Sequence, residues 1–183
     1  MATLEHPTIR RLTADEAMRM VEAGILGEDE PVELLDGMLV EMSPPGAEHV
    51  DATINLAERL REVYVGRGRV REEKPLAAGA YSLPEPDIVV LRGAVAKRPP
   101  TGAEAVLVVE IAWSSQRENR RKASIYAAGG VEVYWLLDLA ARQLELRTMP
   151  VDGAYLVTRI LSEDEVVELP ESDERWVVRD LLS

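Results

Sequence analysis

Two carboxylates stand in stretches of this sequence where an acidic side chain is costly. Asp87 follows Pro86 at the start of one apolar segment, and Glu110 lies inside another, Ala105–Ala112. Both segments are short and rich in β-branched residues, which predicts strands buried within a sheet. A buried carboxylate must be paired or bound to a cation. On neighbouring strands, the two would form a hard-oxygen site suited to Mg²⁺, which points to an enzyme acting on phosphates.

Each of these residues also has a purely structural interpretation. Asp87 could accept hydrogen bonds from the backbone N–H groups of a turn, and Glu110 could form a buried ion pair with an arginine. Lys122 is a third candidate, because it lies on a helix face that is predicted to point towards the core. Its compact charge could orient a water molecule or an oxyanion. It could equally form a surface pair with Glu118, four residues earlier.

Two further candidates, Glu48 and His49, stand at the start of a predicted helix. Glu48 could complete the outer shell of a metal site, although a carboxylate at a helix N-terminus is favourable for the dipole alone. His49 could carry a proton or simply be exposed to solvent. The only other histidine is His6, so a Ser–His–acid triad is not expected. The sequence has no Walker A loop, dinucleotide-binding glycine motif or H-E-x-x-H zinc motif.

Composition narrows the class of protein. A length of 183 residues with 46% hydrophobic residues predicts one domain with a sizeable core. The absence of cysteine excludes disulfides, thiol nucleophiles and Cys-ligated zinc. No apolar run is long enough for a membrane span, and no signal peptide is evident, which predicts a cytoplasmic protein.

The charge of the chain is unevenly distributed. The net charge of −12 argues against indiscriminate binding to nucleic acid. Residues 59–122, however, hold 13 basic and 8 acidic residues, a net charge of +5. This is the segment that carries Asp87 and Glu110. It could be a mixed-charge solvated surface or a groove that faces phosphates.

The elements that must position these residues follow from local patterns. Thr13 and Glu16 form a predicted capping box at the start of a first helix, and Asp36-Gly37 predicts a hairpin turn. Amphipathic helices are predicted at residues 48–65 and 116–128. Strands are predicted at residues 32–35, 38–42, near 70, 80–83, 87–91, 105–112, 131–138, 143–148 and 155–160. The pattern predicts an α/β fold with a mixed sheet between helices. Residues 1–30 would form an N-terminal helical extension, and the acidic segment 162–183 would end the domain, with residues 162–174 exposed.

Taken together, these residues resemble the Uma family. The resemblance covers about residues 30 to 150. Its main motifs are Pro86-Asp87, Val109-Glu110-Ile111, and Lys122 followed by Tyr126-Ala127, Gly130-Val131, Tyr134-Trp135-Leu136 and Asp138. Upstream, Glu33-Leu34-Leu35-Asp36-Gly37, Met42-Ser43-Pro44-Pro45 and His49 are also similar to that family. The family consists of compact prokaryotic domains placed in the PD-(D/E)xK, restriction-endonuclease-like superfamily.

The resemblance implies a fold and a set of site residues. The fold would be a restriction-endonuclease-like core with a central mixed sheet flanked by helices, plus an extra N-terminal helix and hairpin. Asp87 and Glu110 would be catalytic metal ligands, and the Ile111 carbonyl would complete the ligand set. The superfamily places a lysine two residues after the glutamate, where this chain has Ala112. The resemblance implies that Lys122 on the following helix replaces it as a catalytic residue.

The function implied is hydrolysis of DNA phosphodiester bonds with Mg²⁺ or Mn²⁺. Arg117, Arg120 and Arg121 would be candidates for contacts with the DNA backbone, which position a duplex without reading its sequence. The alternative is a catalytically inactive interaction module on the same fold, which the net charge of −12 and Ala112 favour. Because exposed strand edges often pair, a homodimer is also plausible.

Overall fold

The computed structural model describes residues 9–27, 29–93, 97–113 and 116–182, with residues 116–120 described by their backbone alone. Its three α-helices are α1 Ala14–Glu22, α2 Ala47–Val63 and α3 Gln116–Ala128. Its strands are β1 Val32–Leu35, β2 Met38–Glu41, β3 Gly68–Glu72, β4 Ile88–Arg92, β5 Ala105–Ala112, β6 Val133–Asp138, β7 Gln143–Val151, β8 Ala154–Ser162, β9 Val166–Glu168 and β10 Arg175–Val177. None of the helices in these ranges is long and apolar enough to span a membrane.

A six-stranded mixed sheet forms the centre of the fold. Its strand order is β3-β4-β5-β6-β7-β8, and every neighbouring pair is antiparallel except β5 and β6. Two parallel neighbours need a crossover connection, and α3 supplies it between β5 and β6. The predicted α/β fold with a mixed sheet, flanking helices, and an extra N-terminal helix and hairpin is confirmed.

The sheet is covered on both faces, which explains the unbroken apolar runs of its central strands. On one face, Leu56 and Leu60 of α2 pack in the same core as Val109. On the other face, Tyr126 of α3 packs with Val108. Side chains alternate along a strand, so Glu110 lies on the α3 face of β5.

The N-terminal helix and hairpin pack beside this core. The capping box of Thr13 and Glu16 is present at the start of α1, as predicted. Asp36 and Gly37 both have positive φ, at 52° and 80°, which is the backbone that a two-residue hairpin turn between β1 and β2 requires. A bridge from Leu34 to Leu83 ties the hairpin to the chain segment that precedes β4.

Two expectations about the elements need correction. In place of the strand predicted near residues 80–83 there is a turn, in which the Ala78 N–H donates to the Ser82 carbonyl and Gly79 has a φ of 86°, followed by the single β-bridge of Leu83. Residues 162–174 are not uniformly exposed, because Val167 on β9 and Leu169 are buried in the core on the α2 face. In this segment apolar residues alternate with acidic ones, so one side packs inwards while the charges stay in water.

Candidate active site

The carboxylates singled out in the sequence meet where β4 begins and β5 ends. The two strands are antiparallel, and Ile88 pairs with Val109. The next residue on each strand is therefore Asp87 and Glu110, side by side. The first turn of α2, with His49, reaches this end of the sheet, and α3 brings Lys122 to it from the other face.

Asp87 connects β5 to α2. Its Oδ2 accepts a hydrogen bond from the Ile111 backbone N–H at 2.5 Å, and its Oδ1 lies 3.2 Å from His49 Nε2. The hydrogen bond that His49 donates to the Asp87 carboxylate raises the pKa of His49 above 6.5, while burial opposes this. The charges of Asp87 and Glu110 and a hydrogen bond to the Ile111 backbone add to the increase. Asp87 thus satisfies a backbone N–H, as the structural interpretation expected, but that N–H belongs to the neighbouring strand.

Glu110 is buried between two donors from α3. Its Oε1 accepts a hydrogen bond from the Tyr126 hydroxyl at 2.6 Å, and its Oε2 lies 3.4 Å from Lys122 Nζ. Burial raises the pKa of Glu110, and the carboxylates of Asp87 and Glu33 add to this, whereas the Lys122 ammonium lowers it. The cation beside Glu110 is a lysine and not the arginine that the structural alternative expected.

Lys122 is buried and does not lie on the surface, so the surface-pair interpretation is wrong. Its Nζ lies 2.7 Å from Glu33 Oε1 and 3.4 Å from Glu110 Oε2. Burial alone would lower the pKa of Lys122. The carboxylates of Glu110 and Glu33 together outweigh burial, so the pKa of Lys122 lies above its ordinary range. The side chain therefore remains a charged ammonium inside the protein.

Three residues near this centre were not among the predicted site residues: Glu33, Tyr126 and Glu85. Glu33 is buried and bonded to Lys122. The sequence pattern could have identified Glu33, because it is the single charged residue of the apolar strand β1, just as Glu110 is in β5. Glu85 is half-buried, and its pKa is raised by burial and by the charge of Glu33. Tyr126 was expected only to fill the core.

The remaining predicted residues are less closely connected to this centre. Glu48 is exposed in the first turn of α2, and no hydrogen bond or ion pair joins it to another residue of the described ranges. Arg121 is bound to the hairpin turn, with Nη2 at 3.3 Å from Asp36 Oδ2. The side chains of Arg117 and Arg120, both on α3, lie outside the described part of the structure.

The donor set suits a hard divalent cation. Asp87 and Glu110 are close enough for their charges to interact, and Asp87 also contacts the backbone of Ile111, whose carbonyl is the third candidate ligand. Burial, with the charges of Asp87 and Glu33 added to it, raises the pKa of Glu110, and a bound cation would favour its charged form. In the described residues no three His, Asp or Glu side chains converge closely enough to hold a metal unaided. Two carboxylates plus water is the ligand pattern that Mg²⁺ favours.

Comparison with known proteins identifies the family of this chain. The profile of the Uma2 family, described as "Putative restriction endonuclease", matches residues 15–179. The match to this family and the mixed sheet between helices together define a restriction-endonuclease-like fold. The chain belongs to the Uma2 family. The resemblance noted in the sequence is thereby confirmed.

A solved structure shows the same fold. A crystal structure titled as a "putative nuclease belonging to DUF820" from Anabaena variabilis ATCC 29413 superposes with a TM-score of 0.77 at 20% identity, covering 93% of this chain and 97% of that one. The type IIG restriction endonuclease BpuSI matches with a TM-score of 0.44 and 14% identity, over 78% of this chain and 17% of the enzyme. No curated protein sequence matches this chain.

Proposed function

We propose that this protein is a nuclease that hydrolyses DNA phosphodiester bonds with the help of Mg²⁺ or Mn²⁺. The observation that carries the proposal is the pair Asp87 and Glu110, held side by side with the Lys122 ammonium 3.4 Å from Glu110. An acidic pair beside a buried cation can bind a metal and a scissile phosphate together.

Each residue of the site has a distinct role in this proposal. Asp87, Glu110 and the Ile111 carbonyl would hold the metal, which would supply Lewis-acid activation of the phosphodiester and of a bound water. Lys122 orients the attacking water or neutralises charge that develops on the phosphate oxygens. His49 fixes the carboxylate of Asp87 through its 3.2 Å contact.

The substrate is expected to lie along the part of the chain with a net positive charge. Residues 59–122 have a net charge of +5 in a chain of −12. Arg117 and Arg120 are the candidates for phosphate contacts. Arg121 would first have to leave Asp36 to make such a contact.

The test is cleavage of supercoiled, linear and single-stranded DNA with Mg²⁺ or Mn²⁺. Asp87→Asn and Glu110→Gln proteins, purified in the same way, serve as controls for contaminating nucleases. Cleavage by the wild type that both variants lose supports the proposal. Cleavage that persists in both variants contradicts it.

The alternative is a catalytically inactive interaction module. The net charge of −12 and Ala112 at the usual lysine position favour it. Absence of cleavage together with absence of metal binding by calorimetry would support this second function.

Two copies of the chain are also proposed to associate through β8, an edge strand of the sheet. Leu156 and Ile160 on β8 are 63% and 60% exposed, and Arg159 is its single charged residue. Antiparallel pairing about a two-fold axis at Thr158 sets Leu156 of one copy opposite Ile160 of the other. Arg159 then faces Val157, so no like charges oppose each other. The other edge strand, β3, carries two arginines and a glutamate, which discourage pairing.

A further inference from the structure

The ammonium of Lys122 is shared unequally between two buried carboxylates. It lies 2.7 Å from Glu33 Oε1 but 3.4 Å from Glu110 Oε2. The side chains of Glu33 and Glu110 are 2% and 3% exposed, and that of Lys122 is 10% exposed. Glu33 belongs to β1, which lies outside the six-stranded sheet. The hairpin therefore contributes a charge to the centre of the site.

This arrangement determines how much of the charge of Glu110 remains for another cation. Electrostatic attraction is strong at short range in a buried site. Glu33, which is nearer than Glu110, therefore neutralises the larger share of the positive charge of Lys122. If Glu33 were neutral, the ammonium would move onto Glu110, because a buried charge without a partner is costly. Glu110 would then be committed to Lys122 and would bind a divalent cation less well.

We propose that Glu33 is a positioning residue that holds Lys122 away from Glu110. It keeps Glu110 available to a divalent cation and, at the same time, keeps the ammonium within reach of the reacting phosphate. This inference rests on the proposed metal-dependent function. It gives the β1–β2 hairpin a part in the site, although the hairpin supplies no candidate metal ligand.

A double-mutant cycle on metal affinity tests the inference directly. Binding of Mn²⁺ to the full chain is measured by titration calorimetry for the wild type, Glu33→Gln, Lys122→Gln and the double variant. Glu33→Gln is expected to weaken Mn²⁺ binding by about tenfold or more, in the range found for residues that support metal ligands. Lys122→Gln should then restore affinity far more in the Glu33→Gln background than it raises affinity in the wild type. General structural damage from Glu33→Gln would not be rescued by removing Lys122.

Glu85→Gln provides the matched control for the loss of one negative charge. Glu85 is half-buried, and the charges of Glu33 and Lys122 both affect its pKa. Within the described residues it makes no hydrogen bond or ion pair with Lys122. Its loss therefore changes the local field without releasing the ammonium. We expect Glu85→Gln to weaken Mn²⁺ binding less than Glu33→Gln does. Its effect on Mn²⁺ affinity should be additive with that of Lys122→Gln.

The outcomes separate this inference from the proposed function. If the wild type binds Mn²⁺ and the effects of Glu33→Gln and Lys122→Gln are additive, the inference is wrong and the proposed function stands. The same holds if Glu33→Gln has no more effect than Glu85→Gln. If the wild type binds no Mn²⁺, both are wrong. Near-UV circular dichroism checks folding, and Lys122→Met replaces Lys122→Gln if the latter does not fold.

Discussion

At the scale of single residues, the site is a set of buried charges that compensate one another only in part. Glu33, Asp87 and Glu110 bring three carboxylates, while Lys122 brings one cation and His49 a second when it is protonated. Buried ion pairs offset their own desolvation only when every polar atom is well paired. The excess of negative charge therefore lowers the stability of the fold and favours the binding of a cation.

The hydroxyl of Tyr126 should matter for stability because it donates to the buried Oε1 of Glu110 at 2.6 Å. Tyr126→Phe leaves that oxygen without this donor, so we expect a loss of about 1–3 kcal/mol in the free energy of unfolding. Chemical denaturation with and without Mn²⁺ measures it, and a bound cation should reduce the loss. Tyr155→Phe is the control, because the Tyr155 hydroxyl donates to the Val131 carbonyl, away from the carboxylates. Equal responses of both variants to Mn²⁺ would contradict a role of Tyr126 at the site.

His49 should titrate above its ordinary pKa of 6.5, chiefly because it is hydrogen-bonded to Asp87. A pKa raised in the folded state means that protonated His49 stabilises the fold. That contribution is fully present below pH 6.5 and is lost as the pH rises through the folded-state pKa. A pH titration of the His49 ring signals by NMR measures this, and Asp87→Asn should lower the value. A His49 pKa that does not respond to Asp87→Asn would show that their contact is absent in solution.

At the scale of elements, the site depends on how the hairpin is held beside the sheet. The turn residue Gly37 has a φ of 80°, and a Cβ added there would lie 2.5 Å from Arg11 Cβ. The hairpin also carries Glu33 towards Lys122. A local change in the turn can therefore reach the buried charges.

Gly37→Ala should destabilise the protein more than an alanine at another left-handed glycine. Both positions impose backbone strain of about 1 kcal/mol, but only Gly37 also creates a steric clash. Gly66→Ala is the matched control, since Gly66 has a φ of 72° and no neighbouring atom within 4 Å of the added Cβ. Thermal unfolding of the two variants decides the matter. If their losses are equal, Arg11 does not pack against this turn.

At the scale of the whole molecule, the two edges of the sheet differ in character. β3 is short and charged, whereas β8 has nine residues and exposes aliphatic side chains. Chains that each carry a net charge of −12 repel one another, so association requires a surface where that repulsion is weak. β8 is such a surface, because its single charged residue is an arginine.

Ile160→Lys should convert a dimer into a monomer. Under the pairing proposed for β8, the lysine would lie opposite Leu156 of the other copy and would lose its hydration. Light scattering coupled to size-exclusion chromatography measures the mass, with Val65→Lys as the control, because Val65 is 76% exposed and lies outside the sheet. A monomeric wild type, or a dimer that survives Ile160→Lys, would rule out the pairing.

The sequence by itself determined the elements whose signals are local. The capping box at Thr13 and the turn at Asp36-Gly37 depend on neighbouring residues, so they were predictable without the fold. Continuous apolar runs likewise identified β5 and the carboxylate within it, because few charged residues are compatible with a strand covered on both faces. The Uma resemblance, now confirmed, rested on residues spread over most of the chain.

Only the tertiary structure decided which charges meet. Glu33 is 89 residues from Lys122 in the sequence, and no local pattern links a hairpin strand to a helix at that distance. For Lys122 the sequence left a core-facing position and a surface pair both open, and the structure decided between them because a helix face becomes buried only when a sheet and a hairpin close over it. The same reason accounts for Val167 in the acidic C-terminal segment, whose burial depends on a sheet face that other strands build. Pairings between distant residues are set by packing of the whole domain, and so they become visible only in the folded molecule.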